Sequence, residues 1–118
     1  MISDGLRVRV GPHPDDLCLV EELSIGDSVW DIVAGRLVDI EAMACATLAG
    51  DSLADMGLHP MPVQAEGGNA YLALASSRML QRTGPVASTD RPRVFFRLWP
   101  ESRLIAEVEG RPVLFRSA

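Results

Sequence analysis

The sequence predicts a compact, mainly β single domain of short strands with at most one or two short helices. Short apolar runs alternate with polar residues, and turn signals separate these runs at regular intervals. The length of 118 residues is typical of one domain, so residues 1–118 are expected to fold as one unit. Apolar residues make up 47% of the chain, which suffices for one hydrophobic core.

Strand patterns appear early in the chain. Residues 6–10 alternate apolar and charged side chains at a period of two, which is typical of a half-buried strand. Two prolines and a glycine then end the pattern, because they resist pairing in a β-ladder. Residues 29–33 and 37–40 predict a hairpin around an Ala-Gly-Arg turn.

The middle of the chain is less regular. Residues 41–58 are rich in alanine and favour one or two helical turns. Residues 59–63 must be extended, because each of their two prolines pushes the preceding residue out of the helical region. Residues 70–82 fit either a helix or a buried strand. Further strands are predicted at 94–99, 104–108 and 113–115.

The charge and composition of the chain narrow its partners and its location. The net charge is −5 and the pI is about 4.9, so the chain repels phosphate backbones and nucleic-acid binding is disfavoured. No apolar run reaches the roughly 18 residues of a membrane span, and no signal-peptide pattern opens the sequence. A cytoplasmic protein that binds neither nucleic acid nor membrane is therefore expected. Cys18 and Cys45 are expected to be small buried hydrophobes.

The motif His-Pro-Asp-Asp at 13–16 suggests a metal site. One imidazole and two carboxylates can hold a divalent ion and leave one carboxylate as a general base. The motif resembles the opening His-Pro-Asp-Asp-Glu of the zinc-dependent N-acetylglucosaminyl deacetylase family, although leucine follows it here. That resemblance implies His13 and Asp16 as zinc ligands and Asp15 as the base, and His59 would be the third ligand. The alternative is a Pro-Asp turn in which Asp15 or Asp16 caps backbone amides.

A second resemblance extends from about residue 20 to 115. Residues 20–29, Val-Glu-Glu-Leu-Ser-Ile-Gly-Asp-Ser-Val, are similar to the Val-Glu-x-Leu-x-x-Gly-Asp-x-Val segment of Hint domains, the hedgehog/intein autoprocessing fold. Residues 71–80, Tyr-Leu-Ala-Leu-Ala-Ser-Ser-Arg-Met-Leu, resemble the Leu-Leu-x-Ser-Pro-x-His-Arg-Met-Leu strand of the bacterial Hint subfamily. Further similar segments follow in the same order at 58–67, 94–98 and 105–110. The resemblance implies an all-β, Hint-like fold.

The residues that Hint chemistry requires are replaced in this chain. Family members begin with a Cys or Ser nucleophile, which a Ser/Thr-x-x-His strand assists. By the resemblance, Ser77 stands at the imidazole position, and Arg97 and Arg103 replace two further histidines. Arginine stays protonated near neutral pH and cannot act as a base. The nucleophile position falls near Asp4, beside Ser3, so the resemblance implies a degenerate member without autoprocessing.

The favoured hypothesis is a non-catalytic, Hint-like binding or structural module that needs no cofactor and binds a protein partner. Its candidate binding residues are Arg97, Arg103 and Trp99, with Phe95 and Phe115 supplying apolar contact if they are exposed. The first alternative is a small metal-dependent amide hydrolase that holds zinc at the His-Pro-Asp-Asp motif. The second is a homodimer in which the strand that carries Arg97 forms an exposed edge and pairs with its symmetry mate.

Overall fold

Two antiparallel β-sheets form the framework of the protein in its computed structural model, which describes residues 1–74 and 92–118. The strands in chain order are β1 (Ile2–Ser3), β2 (Arg7–Arg9), β3 (Leu17–Leu19), β4 (Ser28–Asp31), β5 (Arg36–Leu48), β6 (His59–Ala65), β7 (Gly68–Leu74), β8 (Arg93–Pro100), β9 (Leu104–Val108) and β10 (Arg111–Phe115). The six-stranded sheet has the order β4-β5-β8-β1-β7-β6, and the four-stranded sheet has the order β10-β9-β2-β3. A 3₁₀ turn at Val20–Glu22 and the helix α1 (Gly50–Asp55) are the helical elements of the described ranges. The prediction of a mainly β domain with at most two short helices is confirmed.

The main hydrophobic core joins the two sheets. Leu104, Ala106 and Val108 of β9 are fully buried and alternate with half-buried residues, because successive side chains on a strand point to opposite faces. Ile40 of β5 and Leu98 of β8 belong to the same buried cluster. The alternating patterns in the sequence therefore mark the faces that the two sheets turn toward each other.

The one or two helical turns favoured within 41–58 occur as α1, in the second half of this stretch, and the first half is a strand. β5 runs from Arg36 to Leu48 and pairs with β8 from Ile40 onward, so strand pairing overrides the helix propensity of the alanines. The helix α1 that follows is short and is anchored by the fully buried Leu53. None of the helices in the described ranges is long and apolar enough to cross a membrane.

The stretch 70–82, which the sequence left open between helix and strand, begins as a strand. Residues 70–74 belong to β7, which pairs with β6 and with β1. The remainder of this stretch, with Ser77, lies outside the described residues. The local strand predictions for β2, β4, β6, β8, β9 and β10 are confirmed.

The strand β8 lies inside the six-stranded sheet and does not form its edge. It pairs with β5 on one side and with β1 on the other. The prediction that this strand forms an exposed edge for pairing with a second copy is therefore wrong. The outermost strands of this sheet, as far as the structure describes it, are β4 and β6.

The two cysteines are less buried than the sequence suggests. Cys45 is exposed, and Cys18 is half-buried; both are free thiols. The apolar neighbours of Cys45 predicted that it would be buried, but Ala44 and Ala46, which adjoin it on β5, are exposed as well. The expectation of two buried cysteines is wrong for Cys45 and only partly met for Cys18.

Candidate binding cleft

A cleft of about 480 Å³ opens beside the six-stranded sheet at Met1, which precedes the short strand β1. The strands that flank β1 supply residues 72–73 and 97–99 to its walls. Residues 113–117, at and after the end of β10, and Met56 and Leu58, after α1, complete the lining. Its volume falls within the range of small-molecule and cofactor sites, about 300–1,000 Å³.

Arg97 and Trp99 stand together at this cleft. Residues two apart on a strand share one face, so β8 presents both side chains in the same direction. The guanidinium carbon of Arg97 lies 4.9 Å from the centroid of the Trp99 ring. This cation–π contact restrains an arginine that is otherwise exposed. Two of the three predicted binding residues are thus neighbours in the cleft.

Arg103, the third predicted binding residue, does not line the cleft. It lies in the turn between β8 and β9, after the chain has reversed direction, and it is exposed. Arg116 lines the cleft in its place. The sequence shows Arg116 as one of many late arginines, and its position at the cleft depends on how the end of β10 folds back against the sheet.

The two phenylalanines expected to contact a partner differ in position. Phe95 shares the face of Arg97, but it is fully buried in a small cluster with Leu53 of α1 and Ala73. The condition under which Phe95 is expected to contact a partner, its exposure, is therefore not met, because α1 covers this face at Phe95. Phe115 is 7% exposed and lies in the lining of the cleft.

Positive charge dominates the cleft. Among the described lining residues, the ionisable side chains are those of Arg97 and Arg116. The amino group of Met1 donates a hydrogen bond to the carbonyl oxygen of Ala73 (3.3 Å). Burial, followed by the positive charge of Arg97, lowers the pKa of this amino group. Because fixed positive charges attract anions, the cleft favours a negatively charged group on its ligand.

The His-Pro-Asp-Asp motif forms a turn in the loop between β2 and β3. His13 and Asp15 are exposed, and the Oδ2 atom of Asp16 accepts a hydrogen bond from the backbone N–H of His13 (3.1 Å). A Cβ atom added to Gly11 would lie 2.9 Å from the carboxyl carbon of Asp16, so the turn has no room for a side chain there. The Asp16 side chain therefore caps the turn, as the turn interpretation expects.

The zinc hypothesis needs His59 as well. His59 is half-buried on β6, in the six-stranded sheet, whereas the motif follows β2 in the four-stranded sheet. Across residues 1–74 and 92–118, no group of three His, Cys, Asp or Glu side chains is placed to hold a metal ion. The described structure does not bring His13, Asp16 and His59 together around one metal ion. Their assignment as ligands, with Asp15 as the base, stays a prediction.

Ser3 is the hydroxyl nearest to the expected nucleophile position of a Hint domain. It is fully buried on β1, where its Oγ atom accepts a hydrogen bond from the backbone N–H of Tyr71 (2.8 Å). The same hydroxyl donates to the carbonyl oxygen of Asp4 (3.1 Å). The bond from Tyr71 joins β1 to β7, and the bond to Asp4 satisfies the buried hydroxyl, so Ser3 has a structural role in this fold.

Comparison with protein-family models, with curated proteins and with solved structures finds no match to this chain. The Hint resemblance stays a prediction from the sequence segments quoted above. The cleft, its lining residues and their charge are therefore the features that indicate a function for this chain.

Proposed function

We propose that this protein is a non-catalytic, Hint-like binding module that has lost autoprocessing and that binds a protein partner in the cleft between β7 and β8. The observation that carries the proposal is the pairing of Arg97 with Trp99 beside an apolar floor. Arginine and tryptophan are enriched among residues that contribute most to protein binding, because each combines a large contact area with a polar group.

The side chains described in the lining of the cleft support binding rather than acid–base chemistry. Leu72, Leu98 and Phe115 give it an apolar floor, and a few polar groups around such a floor are typical of binding sites. The ionisable side chains among its described lining residues are arginines, which remain protonated at neutral pH. These side chains can hold an anionic group but cannot take a proton from a reacting one.

The partner is expected to carry acidic residues at the contact. The chain as a whole has a net charge of −5, yet the cleft presents Arg97 and Arg116. A basic site on an acidic protein favours ligands with locally placed carboxylates, since the rest of the surface repels strongly acidic proteins. A short acidic and apolar segment of a partner matches this arrangement.

The test is selection of binding peptides from a library of random short peptides displayed on phage. We expect the wild-type protein to enrich peptides that combine Asp or Glu with apolar residues. Arg97→Glu is expected to weaken binding of such a peptide roughly tenfold or more, because it removes the cation and introduces a repelling charge. Affinity is measured by calorimetric titration with one synthesised peptide.

Arg103→Glu is the matched control, because it makes the same charge reversal at an exposed residue outside the cleft. It is expected to change affinity by about twofold at most, through the long-range change in charge alone. Arg103→Glu should leave the free energy of unfolding within about 0.5 kcal/mol of wild type. Arg97→Glu also loses the cation–π contact with Trp99 and should stay within about 1 kcal/mol. Equal losses in the two variants, or no selected peptide at all, would overturn the proposal.

A further inference from the structure

The second half of β5 forms an edge of the six-stranded sheet, because its neighbour β4 is much shorter. β4 pairs with residues 36–39 of β5, and backbone bonds between Ile40 and the turn before β4 end this ladder. From Ala42 to Leu48, β5 pairs with β8 on one side, and the described part of the chain places no strand on the other side. Residues 44–47 are all exposed, so this edge is accessible to another chain.

Every second residue of this segment directs its backbone N–H and C=O groups to the open side. On the side of β8 that faces β1, the N–H of Asp4 donates to the carbonyl of Val94 (2.9 Å). Bonded positions on one side of an antiparallel strand recur at every second residue, so the odd-numbered residues of β8 bond to the even-numbered residues of β5. The backbone groups that remain directed outward are those of Met43, Cys45 and Thr47.

The edge at β6, by contrast, is blocked by prolines. The N–H of Ala73 on β7 donates to the carbonyl of Met1, on the β1 side, so Pro60, which lies opposite Ala73, directs its backbone outward. Pro62, two residues later, does the same. Neither proline has an N–H to donate, and proline on an edge strand is a common protection against pairing with another chain. Residues 42–48 contain no proline, so the edge of β5 can form a continuous ladder.

We infer that the edge of β5 from Met43 to Thr47 pairs with the same edge of a second copy, antiparallel and about a two-fold axis at Cys45. Two molecules are thereby joined into one continuous sheet. This inference does not depend on the cleft or on the proposed function. The occupant is a second copy because the edge is complementary to itself in backbone, side chains and charge.

The backbone groups of the edge match those of its own copy in this register. Cys45 lies opposite Cys45 of the second copy, and Met43 lies opposite Thr47 of the second copy. All of these residues are directed outward, so each pair exchanges N–H···O=C bonds in both directions. An axis at Ala44 or Ala46 would leave one of the outward residues outside the ladder, which favours the axis at Cys45.

The side chains and the charge of this segment suit contact between copies. Ala44 lies opposite Ala46 of the second copy, and small side chains fit the close approach of about 4.5 Å between the Cα atoms of such a pair. Two molecules with a net charge of −5 repel each other, so their contact should be uncharged. Residues 42–48 contain no Asp, Glu, Lys, Arg or His, and Glu41 falls opposite Ala49 rather than another acid.

Sedimentation velocity over a range of concentrations measures this association. A short ladder with small side chains is expected to give a roughly micromolar dissociation constant, and the limiting mass should be twice that of the 12.8 kDa chain. Cys45→Lys places two cations opposite each other at the axis and should raise the dissociation constant about tenfold or more. Cys45→Glu should act in the same way. An equimolar mixture of the two variants should associate again, because the opposed charges then attract.

Gln64→Lys is the matched control, because Gln64 is an exposed residue on the proline-blocked edge of β6. It adds the same charge as Cys45→Lys and should leave the dissociation constant within about twofold of wild type. The circular dichroism spectrum should stay unchanged in all of these variants, since each substituted side chain is exposed.

Cross-linking with a short bismaleimide tests the position of the axis. The Cα atoms of the opposed Cys45 residues should lie about 5.5 Å apart, so one reagent molecule can alkylate both thiols. It should join two wild-type chains. Cys45→Ser should abolish the link and retain the dimer, although Cys18 remains a free thiol.

Three results would overturn the inference. The first is a wild-type chain that stays monomeric up to about 1 mM. The second is a dimer that Cys45→Lys and Gln64→Lys weaken equally, which would place the contact elsewhere. The third is a mixture of Cys45→Lys and Cys45→Glu that associates no better than either variant alone.

Discussion

The carboxylate of Asp31 connects the two sheets through backbone N–H groups. Its Oδ1 atom accepts hydrogen bonds from Val33 and Ala34 at 2.8 Å each, and its Oδ2 atom accepts one from Ile105 of β9 at 3.4 Å. Burial by itself would raise the pKa of Asp31. The three hydrogen bonds and the positive charge of Arg36 outweigh burial, so the pKa lies below its usual value. The folded protein therefore stabilises the charged form.

Replacing Asp31 by asparagine removes this charge and keeps one acceptor oxygen. We expect Asp31→Asn to lower the free energy of unfolding by about 1–2 kcal/mol at neutral pH, since the turn is partly open to water. Because the folded pKa is depressed, the contribution of the carboxylate is complete above the unfolded-chain pKa of about 3.9. It is lost as the pH falls through the lower folded pKa. Urea unfolding of both proteins, at neutral pH and near pH 3, measures the difference.

Asp15→Asn is the control for Asp31→Asn, because Asp15 is an exposed carboxylate in the loop after β2. It should leave the free energy of unfolding within about 0.5 kcal/mol of wild type. If the difference in free energy of unfolding between wild type and Asp31→Asn is the same at neutral and acidic pH, the charge of Asp31 does not contribute to stability.

The strand β5 shows where local pattern stops predicting structure. Its first residues alternate clearly and form the predicted hairpin with β4. Residues 42–48, by contrast, are mostly alanine and other residues common in helices, and they become a strand because they pair with β8. Their partner lies about fifty positions later in the chain, so the sequence around them carries little sign of the pairing.

The helix α1 is held by one side chain. Leu53 is fully buried and packs with Phe95 and Ala73, on the face of the sheet that also carries Arg97. We expect Leu53→Ala to lower the free energy of unfolding by about 2–5 kcal/mol, because it removes buried contacts and leaves a cavity. Met56→Ala, just after the helix, changes a side chain that is 54% exposed and should cost about 0.5 kcal/mol at most. Thermal and urea unfolding distinguish the two, and equal losses would show that Leu53 does not anchor α1.

Most strands of the fold could be predicted, because each is a short segment with its own alternation or β-branched and aromatic residues. The pair Arg97 and Trp99 could also be predicted, since two residues on one strand share a face whatever the rest of the chain does. Arg116 and the cleft itself could not. The cleft is built from β7, β8 and the end of β10, which are distant in sequence and meet only in the folded chain.

The charge of the whole molecule sets the cleft apart from the rest of the protein. The chain has sixteen acidic residues and eleven basic ones, which gives a net charge of −5. The cleft nonetheless presents Arg97 and Arg116 as the ionisable side chains of its described lining. A ligand that binds there must satisfy these arginines while it avoids the acidic remainder, which favours a short segment over a broad acidic surface.

Exchange of charge between Arg97 and the acidic residue of a selected peptide tests whether the cleft is the binding site. Four affinities are measured by calorimetric titration: wild type and Arg97→Glu, each with the acidic peptide and with its lysine-substituted copy. We expect the Arg97→Glu protein to bind the acidic peptide roughly tenfold more weakly than wild type does, and to bind the lysine peptide more tightly than wild type does. An Arg97→Glu protein that binds the acidic peptide as tightly as wild type would contradict the assignment of the cleft.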